Sequence, residues 1–141
     1  MSPDRYGAVR DQLDASHSAL DMVPPNTRDA LQRIFEAAET LFKLVCASKK
    51  PPRLTSNEVD RSLRQLITDL YGSGSDEANA ANQLLTGFGN WVNAIQSYRH
   101  GQEEELRGHP PIDLTVALVS QGANYLRWLA EIDQRQNQSQ A

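Results

Sequence analysis

One stretch of the chain concentrates groups able to do chemistry: Tyr98-Arg99-His100-Gly101, at the end of a segment that also carries Trp91. The Arg99 guanidinium presents a fork of N–H donors that matches the geometry of a phosphate or other oxyanion. The His100 imidazole exchanges protons near neutral pH, as a general acid or base must. The same four residues also read as an ordinary helix ending. Cations in a last helical turn interact favourably with the negative end of the helix dipole, and a glycine just beyond is the usual terminator. A second candidate group lies downstream, where Ser120, Asn124, Arg127 and Glu131 share one helical face. Asn124 and Arg127 either border a ligand groove near Arg99 or belong to a solvated edge of short-range ion pairs.

Other chemistries find no support in the residue pattern. His17, His100 and His109 lack the short, regular spacing of a zinc site, so no metal and no cofactor are expected. Cys46 is the sole cysteine and falls on the apolar side of a helix, which makes it an inert buried thiol. No serine has the setting of a nucleophile elbow. Gly72-Ser73-Gly74-Ser75 lacks a following Gly-Lys pair and reads as a turn.

Five segments with a 3.6-residue apolar period must position these groups, and none shows strand alternation. The first runs from about Pro3 to Leu20, and Pro24-Pro25 then breaks the chain. Asn26 or Thr27 caps the second, Arg28 to about Ala47, whose broad apolar face includes Leu31, Ile34, Phe35, Ala38 and Phe42. Lys49 to Leu54 is a solvated loop, and Thr55-Ser56-Asn57-Glu58 is a capping box that opens the third helix, to Tyr71. The fourth, Asp76 to about His100, carries the stripe Leu84, Leu85, Phe88, Trp91, Val92, Ile95 and Tyr98. Gln102 to Gly108 is a charged loop. The fifth helix opens after Pro110-Pro111 and runs to about Asp133, with two apolar faces that include Leu114 and Val116. The expected fold is all-α, an antiparallel four- to five-helix bundle. Residues 1–133 are read as a single domain and 134–141 as a polar disordered tail.

Composition sets the outer bounds. The chain has 141 residues, 39% hydrophobic and 23% charged, an ordinary globular balance. No apolar run reaches the roughly 18 residues that span a bilayer, and the amino terminus lacks a signal-like apolar core. No membrane association and a cytoplasmic location are therefore expected. A net charge of −4 argues against a general polyanion binder, and no DNA-binding motif is present.

Taken together, Phe35-Glu36-Ala37-Ala38-Glu39, Trp91…Tyr98-Arg99-His100-Gly101 and Leu126-Arg127-Trp128-Leu129 resemble a known family. They look like the helical C-terminal domains of bacterial HEPN-like proteins, including those near abortive-infection genes, from about Arg28 to Asp133. The resemblance implies a HEPN-like bundle that often dimerises and, in active members, a metal-independent ribonuclease. Arg99 and His100 match the first two positions of the active pattern. Gln102, Glu103, Glu104 and Glu105 stand where its closing histidine would fall, which implies a degenerate member. The expected function is a non-catalytic interaction or nucleotide/RNA-sensing module in phage defence or stress response, acting as a homodimer or through a protein partner. Tyr98, Asn124, Arg127 and Trp91 are then ligand-binding or interface residues. One alternative is a metal-independent, toxin-like endoribonuclease in which His109 joins Arg99 and His100. The other is a structural domain of a larger polypeptide.

Overall fold

A computed structural model describes residues 5–50, 53–99 and 109–139. The described residues are all-α and contain no strand. Five α-helices follow one another: α1 (Gly7–Asp21), α2 (Thr27–Val45), α3 (Ser56–Tyr71), α4 (Asp76–Arg99) and α5 (Ile112–Ser139), with one 3-10 turn at Ala47–Lys49. The HEPN-like element of the expected fold is not borne out, for reasons given with the comparisons below.

Local chemistry explains most boundaries. The Asn26 side chain accepts from the Asp29 amide at 3.0 Å and starts α2. The Thr55 hydroxyl accepts from the Glu58 amide at 3.1 Å and starts α3. Only this half of the expected capping box is seen, because the Glu58 carboxylate turns instead to Arg61 and Ser62. Ser75 caps α4 through the Ala78 amide at 3.1 Å. The fifth helix departs from the sequence reading: it continues through the polar segment after Asp133 to Ser139, so 134–139 is helix and not a disordered tail. Residues 140 and 141 lie outside the described residues.

Helix α2 is the hub. It packs against α1 and α5 and also meets α4, while α3 packs chiefly on α4. Ala30, Leu31, Ile34, Phe35, Ala37, Ala38, Leu41 and Phe42 are all essentially inaccessible on it. A helix apolar over so wide an arc must be covered on several sides. From the α3–α4 pair come Leu63, Ile67, Leu85, Phe88, Trp91, Val92 and Ile95, and from α5 come Val119, Leu126, Leu129 and Ile132.

The tightest junction joins α2, α4 and α5. A Cβ placed on Gly122 would fall 2.6 Å from Trp91 Cζ2 and 2.7 Å from Ile34 Cγ1. Gly122 therefore lets α5 approach close enough for the Trp91 indole N–H to donate to the Leu118 carbonyl at 2.9 Å. Phe88 and Tyr125 flank the indole, with ring centroids 5.9 and 6.0 Å from it. Gly122→Ala gains up to about 1 kcal/mol of helix propensity but overpacks this junction by about 1–3 kcal/mol. A net loss of stability is expected, with a lower urea midpoint at unchanged slope; an equal or higher midpoint would show that the junction has room to spare.

Candidate functional site

Of the groups singled out by sequence, those among the described residues take different settings. Arg99 is the last described residue of α4. His100, Gly101 and the Gln102–Glu105 stretch lie outside the described residues. Trp91, expected at a binding face, is 2% exposed and belongs to the core. Tyr98 is half-buried and packs on the core's edge. Asn124 and Arg127 are exposed on α5. They flank Tyr125, which meets α4 at Gly87. From Gly87 to Arg99 is a rise of about 18 Å along the helix axis, so Asn124 and Arg127 do not border a groove at Arg99.

His109 is exposed, and its neighbours are apolar rather than catalytic. It lines a cleft of about 590 Å³ formed where α1 ends, α2 begins and α5 begins. Met22, Val23, Pro24 and Pro25 form one side and Pro110 and Ile112 the other. Two physical facts create this corner. Pro24 and Pro25 have no backbone N–H, so the chain between α1 and α2 cannot continue a helix that would bury Met22 and Val23. Ile112 sits in the first turn of α5, where no neighbouring helix covers it. The result is an apolar cluster facing solvent: Val23 is 97% exposed, Met22 54% and Ile112 47%. Leu114 and Val116, expected on buried faces of α5, are also exposed. Scattered apolar side chains on a surface are ordinary; several gathered around one concavity mark a binding face. Thr27 at its floor is buried, and its hydroxyl has no hydrogen-bond partner among the described residues.

The strongest electrostatic feature lies at the other end of α1, α2 and α5. Asp133 is fully buried. Its carboxylate accepts from Arg5 Nε and Nη2, both at 2.8 Å, and from the Tyr6 hydroxyl at 2.6 Å. Arg5 Nη2 also reaches the Leu44 carbonyl at 3.4 Å, near the end of α2. Burial by itself raises the Asp133 pKa, but hydrogen bonds from Arg5 and Tyr6 outweigh it and hold the carboxyl below its ordinary value. Tyr6 is raised, first by burial and then by its bond to Asp133. Arg5 is raised chiefly by its bond to Asp133. With both carboxylate oxygens engaged by Arg5 and Tyr6, this triad ties the start of α1 to α5.

Among the described residues no group of three or more His, Cys, Asp or Glu side chains is placed to hold a metal ion. No described helix is long and apolar enough to cross a membrane. The sequence reading missed the apolar corner because it treated Pro24-Pro25 only as a helix breaker. The available signal was Met22-Val23, two apolar residues outside any helical phase. For the triad there was no signal, since Arg5 and Tyr6 reach Asp133 from 128 and 127 positions away.

No family model and no solved structure matches the chain. Among curated proteins it is similar to nucleoporin NDC1 of Homo sapiens and of Pongo abelii, in each case 29% identical over 103 residues, or 73% of the chain. The chain spans only 13% of the length of these relatives. These matches overturn the HEPN-like assignment and what followed from it: RNA or nucleotide sensing, metal-independent RNA cleavage, phage defence and a cytoplasmic setting. The relatives are nucleoporins from primates, not bacterial defence proteins. The physical source of the error is visible in the fold. The residues that carried the resemblance include Phe35, Ala37, Ala38, Trp91, Leu126 and Leu129, which are buried. Any well-packed helical protein requires such residues.

The triad generates a test. Asp133→Ala, which leaves Arg5 facing the interior, is expected to lower stability by about 3 kcal/mol, and Tyr6→Phe by about 1 kcal/mol. Because the folded carboxyl lies below its ordinary value of 3.8, its contribution is present above that pH and is lost as pH falls through the folded value. The Tyr6 phenol lies above its ordinary 10.0, so its contribution is complete below pH 10 and fades as pH rises through the raised value. Denaturation midpoints across pH check both limbs, and the acid limb should flatten in Asp133→Asn.

Proposed function

We propose that the chain is a helical protein-interaction domain of a nucleoporin-like polypeptide, and that it docks a protein partner through the apolar corner of Met22, Val23, Pro24, Pro25 and Ile112. The observation that carries this reading is the solvent-facing apolar cluster of Met22, Val23 and Ile112 around one concavity. The similarity to nucleoporin NDC1 supplies the setting, the nuclear pore, and its partial coverage supports a structural domain within a longer chain. The described helices share one core, which supports reading them as one domain. An antiparallel course is supported for α1 and α2 by the pairings of Ser16 with Ala30 and of Asn26 with Ala19. Trp91 with Leu118 and Gly87 with Tyr125 support it for α4 and α5, whereas Ile34 beside Gly122 and Val45 beside Gln136 give α2 and α5 the same direction.

The corner suits docking energetically. Covering a Val, Ile or Met side chain contributes on the order of 1.5–3 kcal/mol each, and the rigid prolines lose little entropy on binding. A fluorescent fusion of the chain expressed in human cells is expected at the nuclear rim, with proximity labelling enriched in nuclear-pore proteins. The double variant Val23→Asp, Ile112→Asp should keep its helical circular dichroism and change stability by about 0.5 kcal/mol or less, because both residues are exposed. It should nevertheless lose rim localisation and enrichment. Retention of both by the folded double variant would remove the corner from the reading. A wild-type dimer that the same two substitutions dissociate would assign the corner to a second copy of the chain.

A further inference from the structure

We propose that Arg5 and Tyr6 form a latch on Asp133 that holds the last turns of α5 as a releasable strap over a small cavity containing the Cys46 thiol. The cavity is about 180 Å³, and its walls include Val45, Cys46, Ser62, Asp69 and, from the strap itself, Gln136. Cys46 is 3% exposed, and its thiol points at the Ser62 carbonyl 3.9 Å away.

The strap differs from the rest of α5 in what holds it. Up to Ile132 the helix is fastened by buried apolar side chains, Leu129 and Ile132 among them. Beyond Asp133 the sequence is Gln-Arg-Gln-Asn-Gln-Ser, with no apolar side chain to bury. Its attachments are polar. Gln136 donates to the Val45 carbonyl at 2.8 Å, and Arg135 donates to the Leu70 carbonyl at 3.4 Å while lying 4.8 Å over the Tyr71 ring. One of these bonds is exposed and the other only part-buried, and with no apolar burial behind them local opening here requires less free energy than global unfolding. Asp133 stands at the junction of the two regimes. It is fully buried while the described residues that follow it are not, and its partners Arg5 and Tyr6 come from the segment that enters α1. Arg5 also grips the Leu44 carbonyl, next to the carbonyl that Gln136 holds. The entry segment of the chain and the strap thus close one another over the end of α2. Releasing the latch removes the Gln136 wall and uncovers Val45 and Cys46, a second surface whose exposure depends on the segment before α1.

Cys46 is the only cysteine of the chain, so its alkylation by iodoacetamide reads the opening directly. In the full chain without denaturant, Asp133→Asn is expected to alkylate about tenfold faster than wild type or more, by local opening. Amide exchange should rise much more in 133–139 and 42–48 than in the centres of α3 and α4, where it follows global stability alone. Tyr6→Phe, which keeps the ion pair, should give a smaller acceleration in the same segments. It serves as the decisive variant if Asp133→Asn fails to fold. Exchange that rises equally in all helices would mean that Cys46 is reached only by global unfolding, and would overturn the latch. So would wild-type alkylation rates in the folded variants.

Discussion

The fold depends on the contact of the Trp91 indole with Gly122 and Ile34. Helix α3 is held mainly by α4, and α1 mainly by α2. The two groups must therefore be joined where α4 meets α2 and α5. At that junction the absence of a side chain at position 122 allows a close approach that even a methyl group would prevent. The indole then fills the space and places its one N–H on the Leu118 carbonyl, so a large apolar surface is buried with no donor left unpaired. Phe88 and Tyr125 extend the same aromatic layer along α4 and α5.

Once the junction sets the register of α5 against α4, the two ends of the molecule acquire opposite characters. At one end, Asp133 is carried inward on the same helical face as Leu126 and Leu129. A buried carboxylate is tolerable there only because Arg5 and Tyr6 close on it. At the other, Ile112 at the beginning of α5 stands in solvent beside Met22 and Val23, and Leu114 and Val116 face solvent too. A surface of the first kind stabilises a fold. One of the second kind costs solubility unless something covers it, and that is the physical ground for reading the corner as a docking face.

The helices themselves were largely legible. Cap residues Asn26, Thr55 and Ser75 and the apolar spacing of α2 to α5 indicated four of the starts to within a residue or two, because those signals act over one or two turns of chain. The chemistry was not legible in the same way. Arg99 is the last described residue of α4, and the exposed Asn124 and Arg127 flank Tyr125, which meets that helix about three turns earlier. Trp91 illustrates the same limit: an aromatic at helical spacing serves equally for a core or a ligand face until its neighbours are known.

What the sequence determined by itself was the all-α class, most helix boundaries and the identity of the central helix, since these follow from periodicity, caps and prolines within a short window. Tertiary structure alone decided three other things. It turned Leu84, Leu114 and Val116 outward although their spacing marks them as core. It extended α5 through a polar segment by giving Gln136 and Arg135 carbonyls to hold. It also brought Arg5 and Tyr6 to Asp133 across 128 and 127 positions of chain. In each case the deciding partner is remote in sequence, and burial, unlike helix propensity, is a property of the pair and not of the residue.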